Sequence, residues 1–416
     1  MLGNIAFKNY KKKNDIHGTI LYPWVMVAPV QKKILKNLIS KEKINSIFDP
    51  FHGSGTALYE AFEISQKIRL VGCDINPFAH LITLVKLQGV DRNIKSDINK
   101  IEKYINKDKK ELLDFYFPNI EKWFRKDVIE SLSLLRSAII NISSKKNRLF
   151  FWYILSDVIR NNSNTRSSTY KLHIKDENTI ENMENTVIKD FLNSVKTHYD
   201  KFKQKADNFI LYKDDVFNIL NKFKKNSFDI SITSPPYGDN ATTVPYGQFS
   251  MLSLYTIPEN DLSLDGWELE NYSTIDNHSM GGSDKNNLLD EYEKSLIKYY
   301  FDNISKEKQK KIIRYFKDYF HFLKQLCRVT KKYIVLTLGN RTVDRININL
   351  VSITKKYLKK YGYICDGYAR RAIPRKRTPK LTSSVYQKPV SSMNYEYILI
   401  YKKIDQKNIK GKRRKK

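Results

Sequence analysis

The sequence predicts an α/β protein built on a mostly parallel sheet, and three stretches carry that expectation. Ser46-Ile47-Phe48-Asp49-Pro50-Phe51-His52-Gly53-Ser54-Gly55-Thr56, followed by Ala57-Leu58-Tyr59-Glu60-Ala61-Phe62, reads as strand, glycine turn and helix. Arg69-Leu70-Val71-Gly72-Cys73-Asp74 is a second strand, whose terminal acid follows the turn at the spacing of a ribose-binding carboxylate. Phe228-Asp229-Ile230-Ser231-Ile232-Thr233 has the apolar run of a buried strand and breaks into Ser234-Pro235-Pro236-Tyr237-Gly238.

Taken in order, Met1 to Lys13 is polar and basic without the apolar core of a signal peptide, and no apolar run reaches membrane-spanning length. His17 to Trp24 precedes an amphipathic helix from about Val30 to Ile39. Gly53 and Gly55 leave bare backbone at the start of the next helix, whose first N–H groups suit a carboxylate. Pro77 fits the first turn of a further helix, and Phe78 beside it is a candidate for packing on a purine.

From about Asp91 to Phe202 the chain is helical and charged, with Val128, Leu132, Leu135 and Ile139 on one face, so it packs as an inserted subdomain. Asn208 to Asp215 is a third strand ending in two acids. Thr256 to Asn287, rich in Asp, Ser, Asn and Gly, reads as mobile. Ile312, Phe316, Tyr319, Leu323 and Leu326 form a helical core stripe, and Tyr333 to Asn340 is a central strand. A last pair, around Tyr363 to Gly367 and Tyr395 to Tyr401, completes the sheet as an antiparallel edge.

The prolyl turn sets the chemistry. Consecutive prolines fix φ and donate no N–H, so the carbonyls of Ser234 and Pro235 can accept hydrogen bonds from outside the chain. Ser234 adds a hydroxyl and Tyr237 a flat face, a combination suited to a planar ring carrying an exocyclic amine.

Charge points to a polyanion. Lys and Arg number 74 against 44 Asp and Glu, a net +30, and clustered cations release counterions from phosphates. Arg160 to Leu172 interleaves short polar side chains with Arg160, Arg166, Tyr170 and Lys171, the mixture that phosphate and base-edge contacts need. Tyr368 to Lys380 is the densest arginine cluster, with Arg370, Arg371, Arg375 and Arg377. The tail from Lys407 to Lys416 is a further basic run. Cys73, Cys327 and Cys365 are widely spaced, with neither a disulfide framework nor a zinc pattern, which fits a reducing cytoplasm and no metal.

Asp49-Pro50-Phe51-His52-Gly53-Ser54-Gly55-Thr56 and Thr233-Ser234-Pro235-Pro236-Tyr237 together resemble the cofactor and catalytic motifs of the S-adenosylmethionine-dependent DNA amino-methyltransferases. The continuation Gly238 to Ser250 resembles restriction–modification members of that family. The resemblance implies a Rossmann-like class I methyltransferase fold, a mostly parallel seven-stranded sheet with an antiparallel edge strand, plus a helical insert. It implies S-adenosyl-L-methionine as cofactor, double-stranded DNA as substrate, and a cognate restriction endonuclease as a candidate partner. It further implies a cytoplasmic, nucleoid-associated protein with no membrane partner.

On the same resemblance, Ser234, Pro235, Pro236 and Tyr237 are catalytic, and Tyr22, Asp49, Phe51, Gly53, Gly55, Thr56, Asp74 and Asp215 bind the cofactor, with Asp214 the alternative to Asp215. A first-position serine resembles the N4-cytosine enzymes, with N6-adenine the alternative. RNA or protein amide substrates, or a non-enzymatic nucleic-acid binder, are the other readings. No cysteine follows a proline, so the nucleophile of 5-cytosine methyltransferases has no counterpart. The expected organisation is 1–90 for the arm and first half of the catalytic domain and 91–205 for the insert, a candidate for target recognition. The second half follows at 206–402, with a mobile loop at 256–310 and a basic hairpin loop at 368–390, and a basic tail at 403–416.

Overall fold

The structure is a computed structural model that describes residues 7, 10–108, 112–113, 115–238, 244–264, 271–282, 288–373 and 394–404. Its centre is a seven-stranded sheet in the order β3-β2-β1-β4-β5-β9-β8. The strands are β1 (Ser46–Asp49), β2 (Arg69–Asp74), β3 (Phe209–Lys213), β4 (Phe228–Thr233), β5 (Thr330–Gly339), β8 (Tyr363–Ala372) and β9 (Tyr395–Lys403). A short separate hairpin is formed by β6 (Arg341–Val343) and β7 (Ile346–Ile348).

β1 and β4 are buried along their whole length. A parallel strand covered by helices on both faces must be apolar on both. Ile47, Leu70, Ile230, Ile232 and Val335 join one hydrophobic cluster, and Phe48, Val71, Cys73, Phe228 and Ile334 join the other, as alternation across a pleated strand requires. The first cluster takes in the helices Ala28–Lys41, Thr56–Ile64 and Pro77–Gln88, and the second the helices Val216–Lys222, Lys306–Val329 and Leu350–Lys360.

β2, β1, β4 and β5 pair in parallel, and β9 runs antiparallel to both of its neighbours, with β8 outermost. This is the Rossmann-like arrangement that the resemblance implies. The chain builds outward from β1 through β2 to β3, then returns and builds the other way from β4 to β5. Adjacent β1 and β4 therefore form the switch point, where the loops after the two strands part and leave a crevice.

The insert continues the first cluster rather than standing apart from it: Val128, Leu132, Leu135 and Ile139 are buried there with Phe150, Phe151 and Trp152. Within the stretch read as mobile, Glu291–Asn303 is a helix opened by a capping box at Asp290 and Glu293, which pins its first turn.

Candidate active site

A cavity of about 330 Å³ opens at the switch point, large enough for a small organic ligand. Its wall includes Tyr22, Phe51, Gly53, Thr56, Asp74 and Asp215 of the cofactor set, together with Asp214 and all four residues of the catalytic turn. Both motifs, 178 residues apart from Thr56 to Ser234 (234 − 56), thus face one space because β1 and β4 are neighbours.

The glycine turn is held by its own backbone geometry and by Asp74. Gly53 and Gly55 have φ of +50° and +72°, the left-handed region where a side chain is strained. At Gly55 a Cβ would also lie 2.6 Å from the Thr83 side chain. The Gly53 N–H donates to Asp74 Oδ2 at 2.9 Å and the Asn76 N–H to Asp74 Oδ1 at 2.9 Å. Burial pushes the Asp74 carboxyl up to about 6 against those two bonds.

Asp49 and Gly55 do not reach the cavity wall. Asp49 is fully buried behind it, its Oδ1 accepting the Phe51 N–H at 3.2 Å. Burial raises its carboxyl to about 7; the Thr233 hydroxyl beside it offsets this in part without reaching hydrogen-bond geometry. Asp49 therefore shapes the turn from beneath. Asp215 caps the helix Val216–Lys222, accepting the Phe217 N–H at 2.8 Å, while Asp214 Oδ1 accepts the Asp215 N–H at 2.7 Å and the Asn218 amide at 3.0 Å. Both acids line the cavity, so position does not separate them.

In the prolyl turn, the Ser234 and Tyr237 hydroxyls share a hydrogen bond of 2.9 Å. Burial, with Glu396 nearby, holds the Tyr237 phenol well above its usual range, so it stays neutral. Tyr315, from the helix Lys306–Val329, donates its hydroxyl to the Pro236 carbonyl at 2.8 Å. That bond occupies one turn carbonyl and ties the turn to the helix Lys306–Val329.

Several further wall residues are not among the sequence-predicted site residues. Tyr246 and Asp276 come from the chain after the catalytic turn, and Asn340 and Arg341 follow β5. A residue just past the C-terminal end of a parallel strand is where ligand contacts concentrate, which is the signal that marks Asn340 and Arg341. Tyr22 and Tyr246, both on the wall, lie 5.7 Å apart by ring centroids; Phe249, 5.9 Å from Tyr22, and Phe78, 2% exposed, are core behind them.

The basic residues divide. Arg160 is a correction: it is buried, its guanidinium 4.7 Å over the Phe249 ring and bonded to the Thr169 carbonyl. Asn162, Ser163, Asn164 and Thr165 are likewise buried, and Ser163 bonds Thr165 at 2.7 Å, so this polar run is spent inside the fold. Arg166, Lys171 and Arg370 are exposed. Arg370 sits 4.4 Å over the Tyr395 ring, and Arg371 pairs with Glu396. Because Glu396 is opposite Gly339 in the β5–β9 register, this end of the β8–β9 pair lies at the cavity edge of the sheet. Arg375 and Arg377, most of the hairpin loop and the tail from 405 lie outside the described residues. Among the described residues no helix is long and apolar enough to cross a membrane.

The sheet has the Rossmann-like arrangement of methyltransferase folds, and comparison with known proteins adds a second line of likeness. Over 91% of its length the chain is 29% identical to Type II methyltransferase M.MvaI of Kocuria varians, covering 88% of that protein. It is 25% identical over 261 residues to Type II methyltransferase M.BsoBI of Geobacillus stearothermophilus, 54% of this chain and half of that one. A shorter match, 35% over 95 residues, joins it to Type II methyltransferase M.MjaII of Methanocaldococcus jannaschii, 23% of this chain and 16% of the relative. No family profile matches. The chain is thus similar, over nearly all of its length in one case, to proteins named type II methyltransferases, in keeping with the resemblance carried by its two motifs.

Proposed function

We propose that this protein transfers a methyl group from S-adenosyl-L-methionine to the exocyclic amine of a base flipped out of double-stranded DNA, and that the base is cytosine, methylated at N4. The observation that carries the reading is the single cavity in which the glycine turn and the prolyl turn meet. The donor set fits the cofactor: carboxylates at Asp74 and Asp215 for hydroxyl and amine groups, an aromatic wall at Tyr22, and bare backbone at Gly53, where a Cβ would lie 3.6 Å from Tyr22. When bound, S-adenosylmethionine supplies an electrophilic sulfonium methyl.

The chain's own part is to prepare the amine. Its lone pair is delocalised into the base ring, and hydrogen bonds from the NH₂ to Ser234 Oγ and the Pro235 carbonyl favour the pyramidal geometry that frees it. Ser234 keeps a lone pair for this while bonded to Tyr237. Tyr237 offers a face for stacking, and Tyr315 holds the turn still so that orientation lowers the barrier. Unstacking the base costs on the order of a few kcal/mol, offset by these contacts. Arg166, Lys171, Arg370 and Arg371 are the described cations we assign to DNA; the serine in first position supports cytosine over adenine, and the kinship supports a partner endonuclease.

The test is to incubate the protein with isotopically labelled S-adenosylmethionine and unmethylated bacterial DNA, digest to nucleosides and identify the labelled species by mass spectrometry. Label on N4-methylcytosine is expected. Label on N6-methyladenine would keep the mechanism and overturn the base, and label on RNA or protein alone would overturn the substrate.

A further inference from the structure

Asp74, Asp214, Asp215 and Asp276 put carboxylates on the cavity wall, and among the described residues a single Lys or Arg joins them there, Arg341. It opens β6 directly after β5 and is paired in the hairpin with Ile348. The side chain is half-buried and reaches the prolyl turn: its Nη1 packs so closely on Gly238 that a Cβ on that glycine would collide with it. A second, small void on the far side of the turn is lined by Arg341 together with Tyr237 and Tyr315. The one cation of the wall therefore stands at the catalytic end of the cavity, beside the residue whose ring is assigned to stack the base.

We infer that Arg341 reads the Watson–Crick edge of the flipped base and selects cytosine, an inference that rests on the reading of Ser234 and Pro235 as the seat of the base's amine. A hydroxyl and a carbonyl accept from the amine of either base, so chemical discrimination needs a group further along the edge. With N4 on those two oxygens, the edge of cytosine continues into two adjacent acceptors, N3 and O2. Adenine placed by N6 offers one acceptor, N1, and then a C–H. A guanidinium presents its N–H donors in a planar fork, which two neighbouring acceptors satisfy and one does not. A donor left unpaired in a closed site is what lets that site reject the wrong ligand strongly. Arg341 has the fork, and its contact with Gly238 puts it next to the turn that holds the amine.

The experiment uses duplex DNA carrying the site of the labelled cytosine, with cytosine, 3-deazacytosine or adenine at the target position. It measures single-turnover methyl transfer at saturating S-adenosylmethionine by wild type and Arg341→Met. In 3-deazacytosine a C–H replaces N3, so wild type alone tests the contact without any change to the protein. Wild type is expected to be roughly tenfold or more slower on 3-deazacytosine than on cytosine. Arg341→Met is expected to lose roughly tenfold to a hundredfold on cytosine and less than about threefold on the other two bases. Equal losses on all three bases, as a contact to phosphate would give, or an unchanged rate on cytosine, would overturn the inference alone. So would wild-type rates on cytosine and 3-deazacytosine within about twofold of each other. If wild type labels no cytosine in DNA, the proposed base falls and the inference with it.

Discussion

Tyr315→Phe isolates the support of the catalytic turn from its chemistry. The substitution removes one hydroxyl and leaves the ring, which is 4% exposed and stacks on Tyr319 at 5.5 Å, so no cavity forms. What is lost is the 2.8 Å bond to the Pro236 carbonyl. Because burial keeps the Tyr315 phenol neutral well beyond its usual range, that bond is present across the working pH range. Leaving this part-buried carbonyl without its donor costs at most about 1–3 kcal/mol, less where water takes the place of the hydroxyl. If the turn then samples other orientations, the same free energy enters the barrier, slowing methyl transfer by about fivefold to a hundredfold. On the proposed reading the cofactor lies against the glycine turn, so its affinity should hold within about twofold. Single-turnover kinetics and cofactor titration check the split. Wild-type rate in the variant would refute the positioning role, and parallel loss of rate and affinity would show general disruption instead.

Asp74→Ala should weaken cofactor binding and also lower the melting temperature of the cofactor-free protein, because the Gly53 and Asn76 N–H groups both lose their acceptor; calorimetry and thermal melts read the two effects separately. For Asp276, burial raises the folded carboxyl to about 7, so its contribution to stability is present below the unfolded value of about 4 and is lost as pH rises through about 7. Cofactor-free Asp276→Asn should therefore gain on wild type by a few kcal/mol in melts at about pH 8 and little at about pH 5, while Asp74, Tyr22 and Tyr246 around it are common to both proteins and cancel. A gain at low pH instead would contradict the sign. Arg370→Ala should weaken DNA binding and flatten its salt dependence, whereas Arg160→Ala should lower the melting temperature without changing the salt slope, which filter binding across a salt series can decide.

The parallel core was legible because strands buried on both faces are apolar throughout and end abruptly: β1 in the glycine turn, β2 in Asp74, β4 in the two prolines. Those same breaks line the cavity, so the part of its wall that they supply followed from them, while the part built by Tyr22 to Met26 and by the chain after the prolyl turn did not. Depth was not legible. Asp49 and Asp74 both close a strand, yet one lies behind the wall and the other on it, since the loops beyond decide which strand end is covered. Arg160 to Thr165 misled because a polar run bonded inside a fold has the composition of one facing phosphate. Tyr315 sits beside the predicted core stripe on the buried side of its helix, and Asp276 within a single turn of helix, so neither carries a periodic signal that its contact across the fold would alter.

Methyl transfer at the Ser234–Tyr237 turn, as proposed, is tested most directly by the single-turnover rate on DNA with cofactor already bound, for wild type, Ser234→Ala and Tyr237→Ala. Rates at least about a hundredfold lower in both variants, with cofactor affinity retained, are the predicted result. Wild-type rates in both would contradict it.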